Sequence, residues 1–143
     1  MSELHAIVYV SSATHLLSQK ELEDLLCRAR ARNLTENVSG LLLYCDGNFM
    51  QYIEGPREPL LSIYQLICAD NLHKGLIELL NEPIISREFA GWSMAYAPVQ
   101  MQNFIELSQA SWKRIAETQD SLKIGYGRML LRNFWLLNQL SGD

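Results

Sequence analysis

The chain has 143 residues, 48% of them hydrophobic, which suits one domain with a real core. Its 12 Lys+Arg against 16 Asp+Glu leave a net charge of −4 with no basic run, which argues against a nucleic-acid partner. No apolar run approaches a membrane span and the N-terminus does not read as a signal peptide, so a cytoplasmic protein is expected.

Leu4–Ser11 is predicted as a first strand. Leu4, Ala6, Val8 and Val10 line one face, and His5, Ile7, Tyr9 and Ser11 the other, so both faces are largely apolar and the strand reads as central. Ser18 followed by Glu21 is a capping box that starts a helix at about residue 19. Leu22, Leu25, Leu26 and Ala29 keep helical spacing, and the helix is expected to end near Arg32-Asn33. Val38–Cys45 and Asn48–Glu54 are the second and third strands. Asp46-Gly47 between them signals a tight hairpin, because a type I′ turn needs positive φ at both central residues.

Gly55-Pro56 breaks the chain before a second helix striped by Leu60, Ile63, Tyr64, Ile67 and Cys68, running to about Asp70. A fourth strand is predicted over Gly75–Ser86, with Pro83 marking it as an edge. A short fifth is predicted over Phe89–Tyr96, carrying Trp92-Ser93-Met94. The tail, Met101–Ala116 and about Tyr126–Leu140, reads as two helices. The order β-α-β-β-α-β-β predicts an α+β, ferredoxin-like sheet with two helices on one face. The tail pair is expected to cover the other face. Leu130, Leu131, Phe134, Trp135 and Leu137 spread over a wide arc of the last helix, which fits either ordinary burial within this chain or a second surface for another subunit or a partner; a homo-oligomer is expected.

Cys27, Cys45 and Cys68 are odd in number and widely spaced, and read as small core residues in a reducing cytosol. His5, His15 and His73 show no ligand spacing, so no metal site is expected.

Gln51 is the residue that asks for an explanation. It shares a strand face with Phe49 and Ile53, so its amide points inward and must find hydrogen-bond partners. On adjacent central strands Tyr9 and Gln51 both face the helix layer, and Asn33 arrives at the end of the first helix. A phenol and two carboxamides suit a planar, neutral, polar-edged ligand. They do not suit hydrolysis, which needs a nucleophile–base pair or paired carboxylates. Spacing alone leaves open the plainer reading that Tyr9 or backbone satisfies Gln51 inside an ordinary core.

Four pieces in order carry a resemblance: Ile7-Val8-Tyr9-Val10-Ser11-Ser12-Ala13-Thr14, Arg32-Asn33-Leu34 with Val38-Ser39-Gly40-Leu41-Leu42, Phe49-Met50-Gln51-Tyr52-Ile53-Glu54-Gly55, and Trp92-Ser93-Met94. Together they resemble the BLUF family of blue-light sensors that use flavin, over about Leu4 to Pro98. The resemblance implies a flavin-binding domain over residues 1–98, a helical extension over 99–143 packed on the same domain, and bound FAD, with FMN or riboflavin as alternatives. It implies that Tyr9 is the light-dependent electron and proton donor and Gln51 the switching amide. Asn33 and Arg32 would contact the polar edge of the flavin, Leu25 and Ile67 would sandwich its ring, and Trp92 and Met94 would relay the signal to a downstream protein. The family often has Asp-Pro-Arg-His after the second helix. This chain has Asp70-Asn71-Leu72-His73, with Lys74 as a stand-in for the absent arginine, and Ala29 replaces the family's usual serine. The resemblance implies a sensor, not an enzyme. Two other classes compete with it, a flavin-dependent oxidoreductase and a ferredoxin-like binding module without flavin. No dinucleotide fingerprint supports the first.

Overall fold

The computed structural model describes residues 3–87, 89–91 and 93–98. Along them run β1 (Leu4–Ala13), α1 (Gln19–Thr35), β2 (Ser39–Cys45), β3 (Asn48–Pro56), α2 (Arg57–Ala69), β4 (His73–Pro83) and β5 (Ala95–Pro98). They form one sheet of order β4-β1-β3-β2-β5. β1 pairs antiparallel with β3 and β4, β2 pairs antiparallel with β3, and β5 adds to β2 in parallel. Each of the two helices crosses over one intervening strand, which is the ferredoxin-like arrangement predicted. β4 is the edge strand that Pro83 required.

Local chemistry sets the element ends. The Ser18 hydroxyl accepts from Glu21 N at 3.1 Å, and the Glu21 carboxylate accepts from Ser18 N at 2.9 Å, closing the capping box. Asp46 and Gly47 both take positive φ, 46° and 84°, as the hairpin requires. α1 runs two residues past Asn33, and Asn37, at φ 59°, is the left-handed residue after it. Asn33 is thereby a buried residue of the helix itself.

Strand alternation divides the apolar residues into two layers. Ile7, Tyr9, Phe49 and Ile53 pack under the helices with Leu22, Leu26, Leu60, Ile63 and Ile67. Ala6, Val8, Met50 and Tyr52 pack on the opposite face with Leu80, Ile84 and Phe89. The expected tail helices lie outside the described residues, as does Trp92.

Two expectations need correction. The fifth strand begins at Ala95, not Phe89. Phe89 gives its N–H to the buried Glu54 carboxylate at 2.7 Å, and Gly91 turns at φ 88°, so the chain before Met94 has left the extended ladder. Of the cysteines only Cys45 is buried; Cys27 and Cys68 are exposed. Leu26 and Ala29 take the inward positions of α1 and Ile67 that of α2, which turns the neighbouring cysteines outward.

Candidate functional site

Register decides the base of the site. Tyr9 and Gln51 stand directly opposite each other across β1 and β3. Both are almost wholly buried. The Tyr9 hydroxyl donates to Gln51 Oε1, which answers one half of the question the amide poses. The other half is answered only weakly. Gln51 Nε2 meets the Met94 sulfur at 3.5 Å, and a thioether is a poor acceptor for a group with two N–H donors.

Above this pair lies a cavity of about 320 Å³. α1 supplies one wall through Leu25, Arg28, Ala29 and Arg32, which fall on a single helical stripe. Ile67 and Asp70 come from the end of α2, His73 from the start of β4, and Leu42, Phe49, Tyr9 and Gln51 from the sheet. Aliphatic side chains from two helices thus face a floor whose polar groups are a phenol and an amide.

Burial dominates the electrostatics. It pushes the Tyr9 phenol well above its ordinary value, with nearby Arg32 opposing, so Tyr9 keeps its proton. Burial lowers the pKa of Arg32, which nonetheless stays a cation. Burial also lowers His73, against the pull of Asp70, so the imidazole is neutral at pH 7. The His73 ring stands edge-on to Tyr9 at 5.8 Å between centroids, and its Nδ1 lies 2.8 Å from the Ser11 hydroxyl.

The structure therefore brings Tyr9, Leu25, Arg32, Gln51 and Ile67 to one cavity. It does not bring Asn33 to that lining. Asn33 is fully buried, and its Nδ2 donates to Ser93 O at 2.8 Å. It borders a separate cavity, with Arg87 and Ser93 among the other lining residues. Met94 meets Gln51 and packs in the same core layer as Tyr9 and Phe49, and neither it nor Lys74, exposed on β4, lines the cavity. Sequence reading missed Arg28, Asp70 and His73 as lining residues. For Arg28 the signal was available, since it lies three residues from Leu25 and four from Arg32. It also missed Arg30, whose Nε donates to Met94 O at 2.8 Å.

The family profile "Sensors of blue-light using FAD", BLUF, matches residues 4–95, well over half the chain. The chain belongs to the BLUF family. BLUF domains bind flavin, and the site fits one on its own chemistry. A buried amide short of a strong acceptor lies at the base of a cavity with aliphatic walls, suited to a flat heteroaromatic ring with a polar edge. The BLUF protein BlrB, in its dark-state structure, is 32% identical at a TM-score of 0.65, covering 76% of this chain and 80% of that one. The blue light- and temperature-regulated antirepressor BluF of Escherichia coli K12 is 30% identical over 107 residues, 75% of this chain and 27% of that protein. Photoactivated adenylate cyclase subunit alpha of Euglena gracilis is 30% identical over 120 residues, 84% of this chain and 11% of that protein. This BLUF chain thus spans a small part of the length of either regulator.

Proposed function

We propose that the chain is a blue-light receptor in which Tyr9 and Gln51 form the photoactive pair and Met94 reads the state of Gln51. The carrying observation is the line of contacts from the Tyr9 hydroxyl to Gln51 Oε1 and from Gln51 Nε2 to the Met94 sulfur. When bound, an oxidised flavin supplies the blue absorption and, once excited, an acceptor for an electron from Tyr9. Leu25 and Ile67 would hold the ring, with Arg32 between its polar edge and the rim of the cavity. Asn33 serves the site by fixing the Ser93 carbonyl. Tyr9 holds the mobile proton at its hydroxyl, and its burial keeps the proton there in the dark. A change at that hydroxyl reaches Gln51 first, because the amide accepts its hydrogen bond. Rotation of the amide exchanges its donor and acceptor ends and changes its contact with Met94.

Met94 directly precedes β5, which pairs with β2, so a displaced Met94 biases the edge of the sheet. Trp92 is assigned to the same relay. Residues 1–98 are the sensing domain and 99–143 the output extension. The protein works in the cytoplasm as a homo-oligomer, signals to a partner protein and turns over no substrate. The relatives named as a photoactivated adenylate cyclase subunit and a blue light-regulated antirepressor support a signalling output.

The test is a light-minus-dark absorption spectrum of the purified protein. A reversible red shift of an oxidised flavin is expected. Bleaching with turnover of a reductant would favour an oxidoreductase, and a colourless protein that takes up no added flavin would leave only a binding module.

A further inference from the structure

The cavity wall carries more positive charge than the protein as a whole would suggest. The chain has a net charge of −4, yet this one lining holds Arg28 and Arg32 against a single carboxylate, Asp70. The two arginines are four residues apart on α1, so their like charges face each other and weaken the helix. Among the described residues neither forms an ion pair. Arg28 Nε reaches the Asp24 carbonyl at 3.4 Å and Arg32 Nε reaches Asn33 Oδ1 at 3.4 Å, both long contacts with neutral oxygens. Asp70 attracts Arg32 through space but forms a salt bridge with neither arginine among the described residues, and its Oδ1 accepts from Leu72 N at 2.9 Å.

Exposure falls along the stripe. Arg28 lies at the surface, Arg32 is half-buried, and Tyr9 and Gln51 are at the base. At about 320 Å³ the cavity is at the small end for a ligand site and opens to solvent at its rim, where the tail of a larger ligand would leave. Guanidinium groups match phosphate oxygens in both charge and geometry.

We propose that Arg28, seconded by Arg32, is the phosphate-recognition edge of this cavity, and that the chain selects phosphorylated flavins over riboflavin. This rests on the flavin reading of the cavity. The shared chemistry is a flavin phosphate ester, whether the monophosphate of FMN or the diphosphate of FAD.

The experiment titrates flavin-free protein with riboflavin, FMN and FAD, following quenching of flavin fluorescence, at low and at raised salt. Wild type should bind FMN or FAD about 3- to 20-fold more tightly than riboflavin, with the gap shrinking as salt screens it. If the monophosphate suffices, FMN and FAD bind alike; if Arg28 and Arg32 divide a diphosphate, FAD alone gains. In Arg28→Gln the gap should close, because FMN and FAD lose an anion contact that riboflavin never makes. Arg28→Lys should retain part of the gap. Tight riboflavin binding with no preference for phosphate, or a preference that survives both Arg28→Gln and Arg32→Gln, overturns the proposal alone. Failure of wild type to bind any of the three overturns the flavin reading beneath it as well.

Discussion

Arg30 on α1 donates from Nε to the carbonyl oxygen of Met94 at 2.8 Å. The same methionine lays its sulfur 3.5 Å from Gln51 Nε2, and the residue before it gives its carbonyl to Asn33. One helix thus grips by two side chains the short segment whose methionine lies against the buried amide. A thioether contact is weak, so these two backbone clamps largely set where Met94 sits.

Arg30→Gln should loosen that grip without touching the cavity. The lost bond is expected to lower stability by about 0.5–1.5 kcal/mol. Dark recovery should quicken by about 2- to 10-fold, the kinetic equivalent of that energy, because Met94 resists the return of Gln51 less. Recovery traces and hydrogen exchange at residues 93–98 measure both effects. An unchanged recovery rate with faster exchange would show that Met94 does not read Gln51.

Tyr9→Phe keeps the ring and removes the hydroxyl, and Gln51→Leu keeps approximate size and removes the amide. Each removes the buried Tyr9–Gln51 hydrogen bond, and Gln51→Leu also removes the weak contact with the Met94 sulfur; the loss, about 1–3 kcal/mol, is one that a domain of this size survives. Both variants should fold and bind flavin, and neither should show the reversible red shift. A wild-type shift in Gln51→Leu would remove Gln51 from the switch, whatever its place in the structure.

Stability should depend on pH through His73. Its folded pKa lies below the ordinary 6.5, so as pH falls below about 6.5 the unfolded chain takes up a proton that the folded protein does not. Stability contributed by the neutral imidazole is complete above that pH and is lost as pH falls toward the folded pKa. Thermal melts between about pH 5 and 7.5 should show a steeper fall for wild type than for His73→Gln. Parallel curves would mean that His73 titrates no differently once unfolded.

Two glycines should behave differently when replaced by alanine. A Cβ on Gly40 would overlap the Tyr52 carbonyl oxygen on the paired strand β3. Gly75, at φ 61°, would put its Cβ in open space and meet only the backbone penalty. Gly40→Ala should therefore destabilise by about 2–3 kcal/mol or more, and Gly75→Ala by about 1 kcal/mol. Urea unfolding ranks the pair, and a smaller loss at Gly40 would mean that the hairpin can slide apart to make room.

The capping box at Ser18 and Glu21, the Asp46-Gly47 turn and the two faces of β1 and β3 were legible in the sequence because each depends on a few neighbouring residues and a fixed period. Burial of Gln51 followed from that alternation, and its pairing with Tyr9 from the central placing of two strands. The remaining decisions were tertiary. Phe89 left the predicted strand because a carboxylate far away in the sequence, Glu54, took its N–H. Asn33 turned to the Ser93 carbonyl and away from the Tyr9–Gln51 cavity because α1 continued past it and packed against the segment before β5. Arg28 became a cavity wall because Ile67 and His73 came to face α1. Sequence period determines which way a side chain leaves its own element; only the packing of distant elements determines what it meets there.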